Sequence, residues 1–110
     1  MAIERAGHAA RRDRAAASCR EQGLAVLLVS PGSDLAYLSG YRIFASERLT
    51  CLVLRADGWA VLVLPALESA RATAAAPDLE QHAWTETEDP FGLVRDLALH
   101  HADRRLAVVR

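Results

Sequence analysis

The residues best suited to bind a charged ligand lie together in one short segment, residues 37–48. The segment reads Tyr37-Leu38-Ser39-Gly40-Tyr41-Arg42-Ile43-Phe44-Ala45-Ser46-Glu47-Arg48. Arginine forms paired, charge-assisted hydrogen bonds with carboxylates, and aromatic rings supply rigid contact area for a partner. The structural alternative is a partly buried aromatic loop in which Glu47 pairs with Arg42 or Arg48. The residue types by themselves leave both interpretations open.

The histidines do not form a metal-binding pattern. They are His8, His82, His100 and His101, and none belongs to an HExxH sequence. Neighbouring residues of a helix point about 100° apart, so His100 and His101 are poorly placed to share one ion. Histidines that interact with the dipole at a helix C-terminus are the favoured interpretation. We therefore predict no metal site in this chain.

Three acidic residues, Glu86, Glu88 and Asp89, directly precede Pro90. Two carboxylates of this group could act as an acid/base pair or hold a cation. Acids are also expected before a helix, where a side chain caps the first turn and its charge complements the dipole. Because proline commonly occupies the first helical position, capping is the favoured interpretation, and we assign no catalytic residue.

Composition excludes several further classes of function. All 13 basic residues are arginine, which excludes lysine-based catalysis and a Walker-type phosphate loop. The glycines are scattered, so no GxGxxG cradle is present, and Ser33 does not lie in a GxSxG turn. A net charge of −1 and a pI of 6.4 argue against a nucleic-acid partner. No apolar stretch is long enough to span a bilayer, which argues against a membrane partner.

Cysteine usage and the N-terminus predict a cytoplasmic protein. Cys19 and Cys51 are far apart in the sequence, and their spacing matches neither a metal knuckle nor a disulfide framework. We interpret both as small apolar residues of a reduced protein. The N-terminal segment, from Met1 to Gly23, lacks the uninterrupted apolar stretch of a secretory signal.

Hydrophobic periodicity predicts alternating helices and strands. Helices are predicted over 3–22, from Ser33 or Asp34 to Leu38, over 65–75, and from Asp89-Pro90 onward. The third helix is predicted to have Leu67, Ala70 and Ala74 on its apolar face. The last helix is predicted to have Phe91, Val94, Leu97 and Ala98 on its inner face. Strands are predicted over 25–29, 50–55, 59–64, 82–85 and 106–109, with a hairpin at Ala56-Asp57-Gly58. This order predicts an α/β fold, a mixed β-sheet with helices on both faces.

Several segments, in the same order, resemble the opening of the creatinase/prolidase family, and bacterial Xaa-Pro dipeptidases in particular. They are Arg12-Asp13-Arg14, Gly23 to Pro31, Tyr37-Leu38-Ser39-Gly40-Tyr41, Leu52-Val53-Leu54, Asp57-Gly58, Leu62 to Glu68 and Glu88-Asp89-Pro90. The resemblance implies the N-terminal domain of that family, a ribonuclease H-like α/β fold. It covers nearly the whole chain.

The same resemblance carries expectations about function. Residues 1–110 would be a truncated N-terminal domain, without the C-terminal pita-bread domain in which the family binds two divalent ions (Mn, Co or Zn) and cleaves proline-containing peptides. The fragment is then expected to hold no cofactor and to be inactive alone. In the family, this domain supports homodimer formation and closes over the active site of the neighbouring subunit.

By position in the family pattern, Tyr41, Arg42 and Arg48 are the candidates for contacting the substrate or the opposite subunit. One alternative is a non-catalytic protein-binding module of the same fold. Another is a free-standing α/β domain whose resemblance to the family is accidental. The sheet is expected to end incompletely at Arg110, which would leave an edge exposed or paired with another copy.

Overall fold

Helices and strands alternate along the chain in the computed structural model, which describes residues 2–99 and 106–109, with side chains for residues 7–99. The elements are α1 (Ala2–Gln22), β1 (Val26–Val29), α2 (Ser33–Ser39), β2 (Cys51–Arg55), β3 (Ala60–Pro65), a 3-10 turn (Ala66–Glu68), α3 (Ser69–Ala75), β4 (Glu80–Trp84), α4 (Pro90–Leu99) and β5 (Leu106–Val109). This order matches the α/β prediction, which is confirmed.

The five strands form one mixed sheet in the order β4-β3-β2-β1-β5. The central strand β2 runs antiparallel to both of its neighbours, β1 and β3. The two outer pairs, β1 with β5 and β3 with β4, are parallel. Four strands therefore run in one direction and end at the same edge of the sheet, and only β2 begins there.

The turn between β2 and β3 forms at the Asp-Gly step, as predicted. Gly58 has a φ of +98°, a backbone conformation that glycine adopts without a steric penalty, and its N–H donates to the Arg55 carbonyl at 2.9 Å. Asp57 Oδ1 accepts a hydrogen bond from the Trp59 N–H at 3.0 Å. The turn sets the register in which Val53 lies opposite Val61.

Alternating strand residues build a core on each face of the sheet. One core packs against α2 and α3 and contains Val29, Leu35, Leu38, Tyr41, Leu52, Leu62, Leu64, Ala72, Ala76 and Leu79. The other packs against α4 and contains Val26, Cys51, Val53, Val61, Val63, Trp84, Val94 and Ala98. Helices therefore cover both faces, as the near-continuous apolar strands required.

The predicted start and apolar face of the third helix are wrong. Pro65 is the last residue of β3, with extended backbone angles, and α3 begins only at Ser69 after the 3-10 turn. A 3-10 turn winds more tightly than an α-helix, so it shifts the phase of the helix that follows. Leu67 is consequently 88% exposed, and Ala70 and Ala74 are not buried either. The buried positions are Ala72 and Ala76 instead.

The last helix keeps most of its predicted inner face. Val94 and Ala98 are buried, whereas Phe91, predicted to be buried with them, is 68% exposed. Phe91 lies in the first turn and borders an open apolar cavity of about 350 Å³ between α4 and the sheet, so it is not enclosed. His100, His101 and the expected sheet end at Arg110 lie outside the described residues.

Candidate functional site

The segment that carries Arg42 and Arg48 is a loop at the edge where four strands end. We name residues 40–50, which join α2 to β2, the arginine loop. In α/β sheets the carboxyl ends of strands leave room for loops and are the usual place for ligand contacts. The topology therefore puts the arginine loop where a binding site is expected.

The start of the arginine loop is fixed by hydrogen bonds to the end of α2. Gly40 has a φ of +82° and closes the helix, and its N–H donates to Ala36 O at 2.8 Å. The buried Ser39 hydroxyl donates to Leu35 O at 2.6 Å and accepts from the Tyr41 N–H at 3.1 Å. These contacts turn the chain inward at Tyr41.

Tyr41 holds the loop to the opposite side of this edge. Its ring is 1% exposed, and its hydroxyl donates to Glu68 Oε1 at 2.7 Å, in the 3-10 turn after β3. Burial, followed by the hydrogen bond and the charge of Glu68, raises the pKa of Tyr41 to about 12. The phenol is therefore a neutral donor at neutral pH, well suited to anchoring the loop.

The far end of the arginine loop is held by β4 and the segment after it. Arg48 forms an ion pair with Glu86, and the indole N–H of Trp84 donates to Leu49 O at 2.9 Å. The alternative in which Glu47 pairs with Arg42 or Arg48 is wrong, because Glu86 takes Arg48 and, within residues 7–99, Glu47 forms no ion pair. Glu86 lies in the connection that follows β4. This connection and the arginine loop lie at the same edge of the sheet, so Glu86 reaches Arg48 although the two residues are far apart in sequence.

Arg42 and Phe44 occupy the free middle of the loop. Phe44 is 93% exposed, and the Arg42 side chain also faces solvent. Among the described residues, Arg42 has neither a hydrogen-bond partner nor a carboxylate partner. The loop thus presents an unpaired guanidinium and an aromatic ring on a backbone that is anchored at both ends.

A polar cleft lies beside this loop, between α1 and α2. Its volume is about 470 Å³, and its lining residues are His8, Arg11, Ser33, Ala36, Tyr37, Gly40 and Arg42. The Arg11 guanidinium donates to Tyr37 O at 3.0 Å and lies 4.4 Å from the centre of the Tyr37 ring. We name this space the α1–α2 cleft.

Close packing of α1 on the start of the arginine loop defines one wall of the cleft. A Cβ at Gly40 would lie 2.6 Å from His8 Cε1, so any larger residue there requires the imidazole to shift. Next to it, Arg12 donates to Leu38 O at 2.8 Å. Burial lowers the pKa of Arg12, while the nearby Asp13 and Asp78 oppose that change.

The structure brings the predicted site residues into one loop but gives them different environments. Arg42 and Arg48 are at the surface, whereas Tyr41 is buried beneath them. Two acidic partners, Glu68 and Glu86, could not be predicted because they are distant in sequence from the arginine-loop residues they contact. Arg11 could not be predicted either, because its position on α1 gives no local signal.

The described part of the chain lacks both a metal-ligand cluster and a membrane-spanning helix. Residues 7–99 contain no group of three or more histidine, cysteine, aspartate or glutamate side chains suited to hold a metal. Cys19 and Cys51 are free and buried, and burial raises the pKa of the Cys51 thiol to about 11. Of the helices described, none is both long and apolar enough to cross a membrane.

Comparison with known proteins gives one consistent result. Residues 11–109 match the family model of the Creatinase/Prolidase N-terminal domain. A probable dipeptidase PepE from Mycobacterium tuberculosis (strain H37Rv) is 46% identical over 90 residues, which is 79% of this chain and 24% of that protein. The chain thus spans about a quarter of the length of the curated relatives it matches.

Solved structures agree with that match. Dipeptidase PepE from Mycobacterium ulcerans aligns with a TM-score of 0.78 at 40% identity, over 86% of this chain and 26% of that chain. The creatinase/prolidase N-terminal domain of an X-Pro dipeptidase from Streptococcus pyogenes aligns with a TM-score of 0.78 over 90% of this chain and 75% of that chain. Its identity is 24%, so this second likeness concerns the fold.

Proposed function

The chain belongs to the creatinase/prolidase N-terminal domain family, and from that premise we propose that it is the non-catalytic N-terminal domain of a metal-dependent Xaa-Pro dipeptidase. Its role is to support a homodimer and to close the active site of the neighbouring subunit with the arginine loop. The observation that carries the proposal is Arg42, an exposed guanidinium with no carboxylate partner among the described residues, on a loop anchored at both ends.

The chemistry of peptide hydrolysis is assigned to a separate C-terminal domain. The described residues do not offer a metal cluster, so no step of hydrolysis is attributed to them. In the proposed enzyme, two divalent ions (Mn, Co or Zn) in the catalytic domain supply an activated water as the nucleophile. Residues 1–110 contribute binding and orientation, and the whole enzyme acts in the cytoplasm on proline-containing dipeptides.

The roles of the three loop residues differ in this proposal. Arg42 contacts the peptide substrate or the opposite subunit, because a free guanidinium recognises a carboxylate or a backbone carbonyl. Arg48 is oriented by Glu86 and makes a secondary contact at the same edge. Tyr41 acts mainly as a positioning residue, since its buried phenol holds the loop to Glu68.

A domain exchange tests the proposal. The N-terminal domain of M. ulcerans dipeptidase PepE, which aligns with this chain at 40% identity, is replaced by residues 1–110. The chimaera, supplied with Mn²⁺ or Co²⁺, is expected to hydrolyse an Xaa-Pro dipeptide, whereas the isolated chain is expected to show no turnover. Turnover by the isolated chain, or a folded chimaera without activity, would contradict the proposal.

Two arginine variants of the chimaera locate the contact. Loss of a charge-assisted hydrogen bond to substrate predicts that Arg42→Ala reduces kcat/KM by about tenfold or more. Arg14→Ala removes the same charge from an exposed position of α1 outside the cleft and is the matched control. Equal kinetic constants for Arg42→Ala and the parent chimaera would show that Arg42 does not contact the substrate.

A second candidate function is a non-catalytic protein-binding module. The observation that favours it is the 93% exposure of Phe44 on the arginine loop, because aromatic side chains are enriched at protein interfaces. The coding sequence downstream of residue 110 discriminates the two functions. A following domain with the Asp, Asp, His, Glu, Glu ligand set supports the peptidase, and loss of those ligands supports the binding module.

A further inference from the structure

We propose that the α1–α2 cleft binds an oxyanion, a carboxylate or phosphate group of a small molecule, between Arg11 and Arg42. This inference concerns the isolated chain and does not depend on peptidase activity. It extends the role of Arg42 from a single exposed side chain to one half of a two-arginine site.

The charged residues that line the cleft are both arginines. They are Arg11 and Arg42, and none of the lining residues is acidic. Arg42 has no carboxylate partner among the described residues, and Arg11 interacts with a carbonyl oxygen and an aromatic ring. Two guanidinium groups that border one cleft without a shared carboxylate favour the entry of an anion.

Arg11 is held in place before any ligand arrives. Its NH1 group donates to Tyr37 O at 3.0 Å, and its planar group stacks on the Tyr37 ring at 4.4 Å. A guanidinium has five N–H donors, so most of them remain available to a ligand. Because the side chain is already ordered, less conformational entropy is lost when an oxyanion binds.

The cleft walls are formed by elements that pack closely together. Arg12 on α1 donates to Leu38 O at 2.8 Å, and Gly40 lies so close to the His8 imidazole that a Cβ would be 2.6 Å from Cε1. Ser33, a residue with a neutral hydroxyl, also lines the cleft. Arg42 comes from the loop and Arg11 from α1, so two cations on different elements border one space.

The size of the cleft points to a small organic molecule. Its volume of about 470 Å³ falls in the range of ligand pockets, roughly 300–1,000 Å³. The charged end of such a ligand would interact with the two arginines, where forked N–H groups match the geometry of carboxylate and phosphate oxygens. Carboxylate and phosphate ligands both present an oxyanion to the arginines, and a titration with each of them distinguishes the two.

The test is a titration of the ¹⁵N-labelled chain, residues 1–110, followed by NMR at constant pH and ionic strength. Inorganic phosphate is the probe in one arm and N-acetylglycine, a peptide-like carboxylate, in the other. The expected result is a saturable shift of amide signals around residues 8–11, 33–37 and 40–42 for at least one probe. Tighter binding of phosphate identifies a phosphorylated ligand, and tighter binding of the carboxylate identifies a peptide or organic acid.

Variants make the titration specific. Arg42→Ala, at an exposed position without partners among the described residues, should weaken binding by about tenfold while the rest of the spectrum is retained. Arg11→Lys keeps the charge but loses the fork and should also weaken binding. Arg14→Ala, on the same helix but outside the cleft, should leave the affinity unchanged.

Two results would overturn the proposal. One is the absence of saturable shifts with both probes, and the other is an equal loss of affinity in Arg14→Ala and Arg42→Ala, which indicates non-specific charge. Failure of the domain exchange is a separate outcome, because a chimaera can be inactive while the isolated chain still binds the oxyanion. Conversely, a titration without saturable shifts would overturn the oxyanion site even if the chimaera were active.

Discussion

Tyr41 and Glu68 illustrate how a residue whose type suggests a surface contact can instead be buried and anchor a loop. The tyrosine follows the Tyr-Leu-Ser-Gly sequence and precedes two arginines, so residue type and spacing alone suggest surface recognition. The ring is in fact 1% exposed, and its hydroxyl donates to Glu68 Oε1. The sequence could not reveal this because Glu68 is distant along the chain and reaches Tyr41 only through the folding of β2 and β3.

The first prediction follows from the pKa of Tyr41, which is raised to about 12 from the usual value near 10. Because the folded state holds this proton more tightly than the unfolded state, the resulting stability is fully present below the unfolded pKa. It is lost as the pH rises towards the folded pKa, by about 1 kcal/mol at pH 11. Urea unfolding of the chain at pH 8.5 and at pH 11 measures this loss.

Tyr41→Phe provides the comparison for that measurement. The variant lacks the ionisable hydroxyl, so its stability should fall less between the two pH values. Cys51, whose pKa is raised to about 11, titrates in the same range in both proteins and cancels from the difference. Parallel losses in the parent and the variant would show that Tyr41 does not cause the effect.

At the scale of elements, the contact between α1 and the arginine loop depends on one glycine. Gly40 and Gly58 both have positive φ angles, +82° and +98°, but a Cβ meets His8 at 2.6 Å only at Gly40, whereas at Gly58 it would enter open space. Gly40→Ala should therefore destabilise the fold more than Gly58→Ala, by about 1–3 kcal/mol of overpacking. Urea unfolding of the two variants checks the difference.

The backbone penalty of a positive φ, roughly 1–2 kcal/mol for an L-residue, applies to both variants and is removed by the comparison. The double variant His8→Ala, Gly40→Ala should recover part of the loss, because the clash has been deleted. Similar stability of Gly40→Ala and Gly58→Ala would mean that the imidazole moves aside without cost.

The elements were largely predictable, and the exceptions have a clear physical cause. The Asp-Gly turn of the hairpin and the glycine after α2 are local signals, and both indicate element ends close to those observed. Local patterns misplace the helix after β3 because Pro65 is compatible with a strand end and with a first helical turn. Choosing between them requires the pairing of Pro65 with Trp84 across the sheet, which no local pattern encodes.

Leu67 offers a test of that corrected helix phase. It is 88% exposed, whereas Leu64, at the end of β3, is completely buried in the sheet. Leu67→Ser should change the free energy of unfolding by less than about 0.5 kcal/mol, and Leu64→Ala should cost about 2–5 kcal/mol. A large loss of unfolding free energy in Leu67→Ser, measured by chemical denaturation, would mean that Leu67 is buried, as the sequence pattern predicted.

At the scale of the whole molecule, one edge of the sheet collects most of the features that suggest function. Because β1, β3, β4 and β5 run in the same direction, their carboxyl ends, the arginine loop, Glu68 and Glu86 all gather there. The sequence predicted the loop, but the meeting of its ends with two distant acids is a property of the strand order. The proposed contact residue Arg42 and the buried anchor Tyr41 are thus held in one loop at this edge.

The last prediction concerns assembly. If the domain supports a homodimer by itself, light scattering after size-exclusion chromatography should give about twice the 11.9 kDa of one chain. Phe44, 93% exposed on the arginine loop, is the apolar side chain best placed to be buried between copies, so Phe44→Ser should shift the mass towards the monomer.

Phe91→Ser is the matched control, since Phe91 is also exposed (68%) but belongs to α4 and the separate apolar cavity. A strict monomer at all concentrations would contradict autonomous dimerisation, and equal effects of the two variants would argue against the arginine loop as the contact surface.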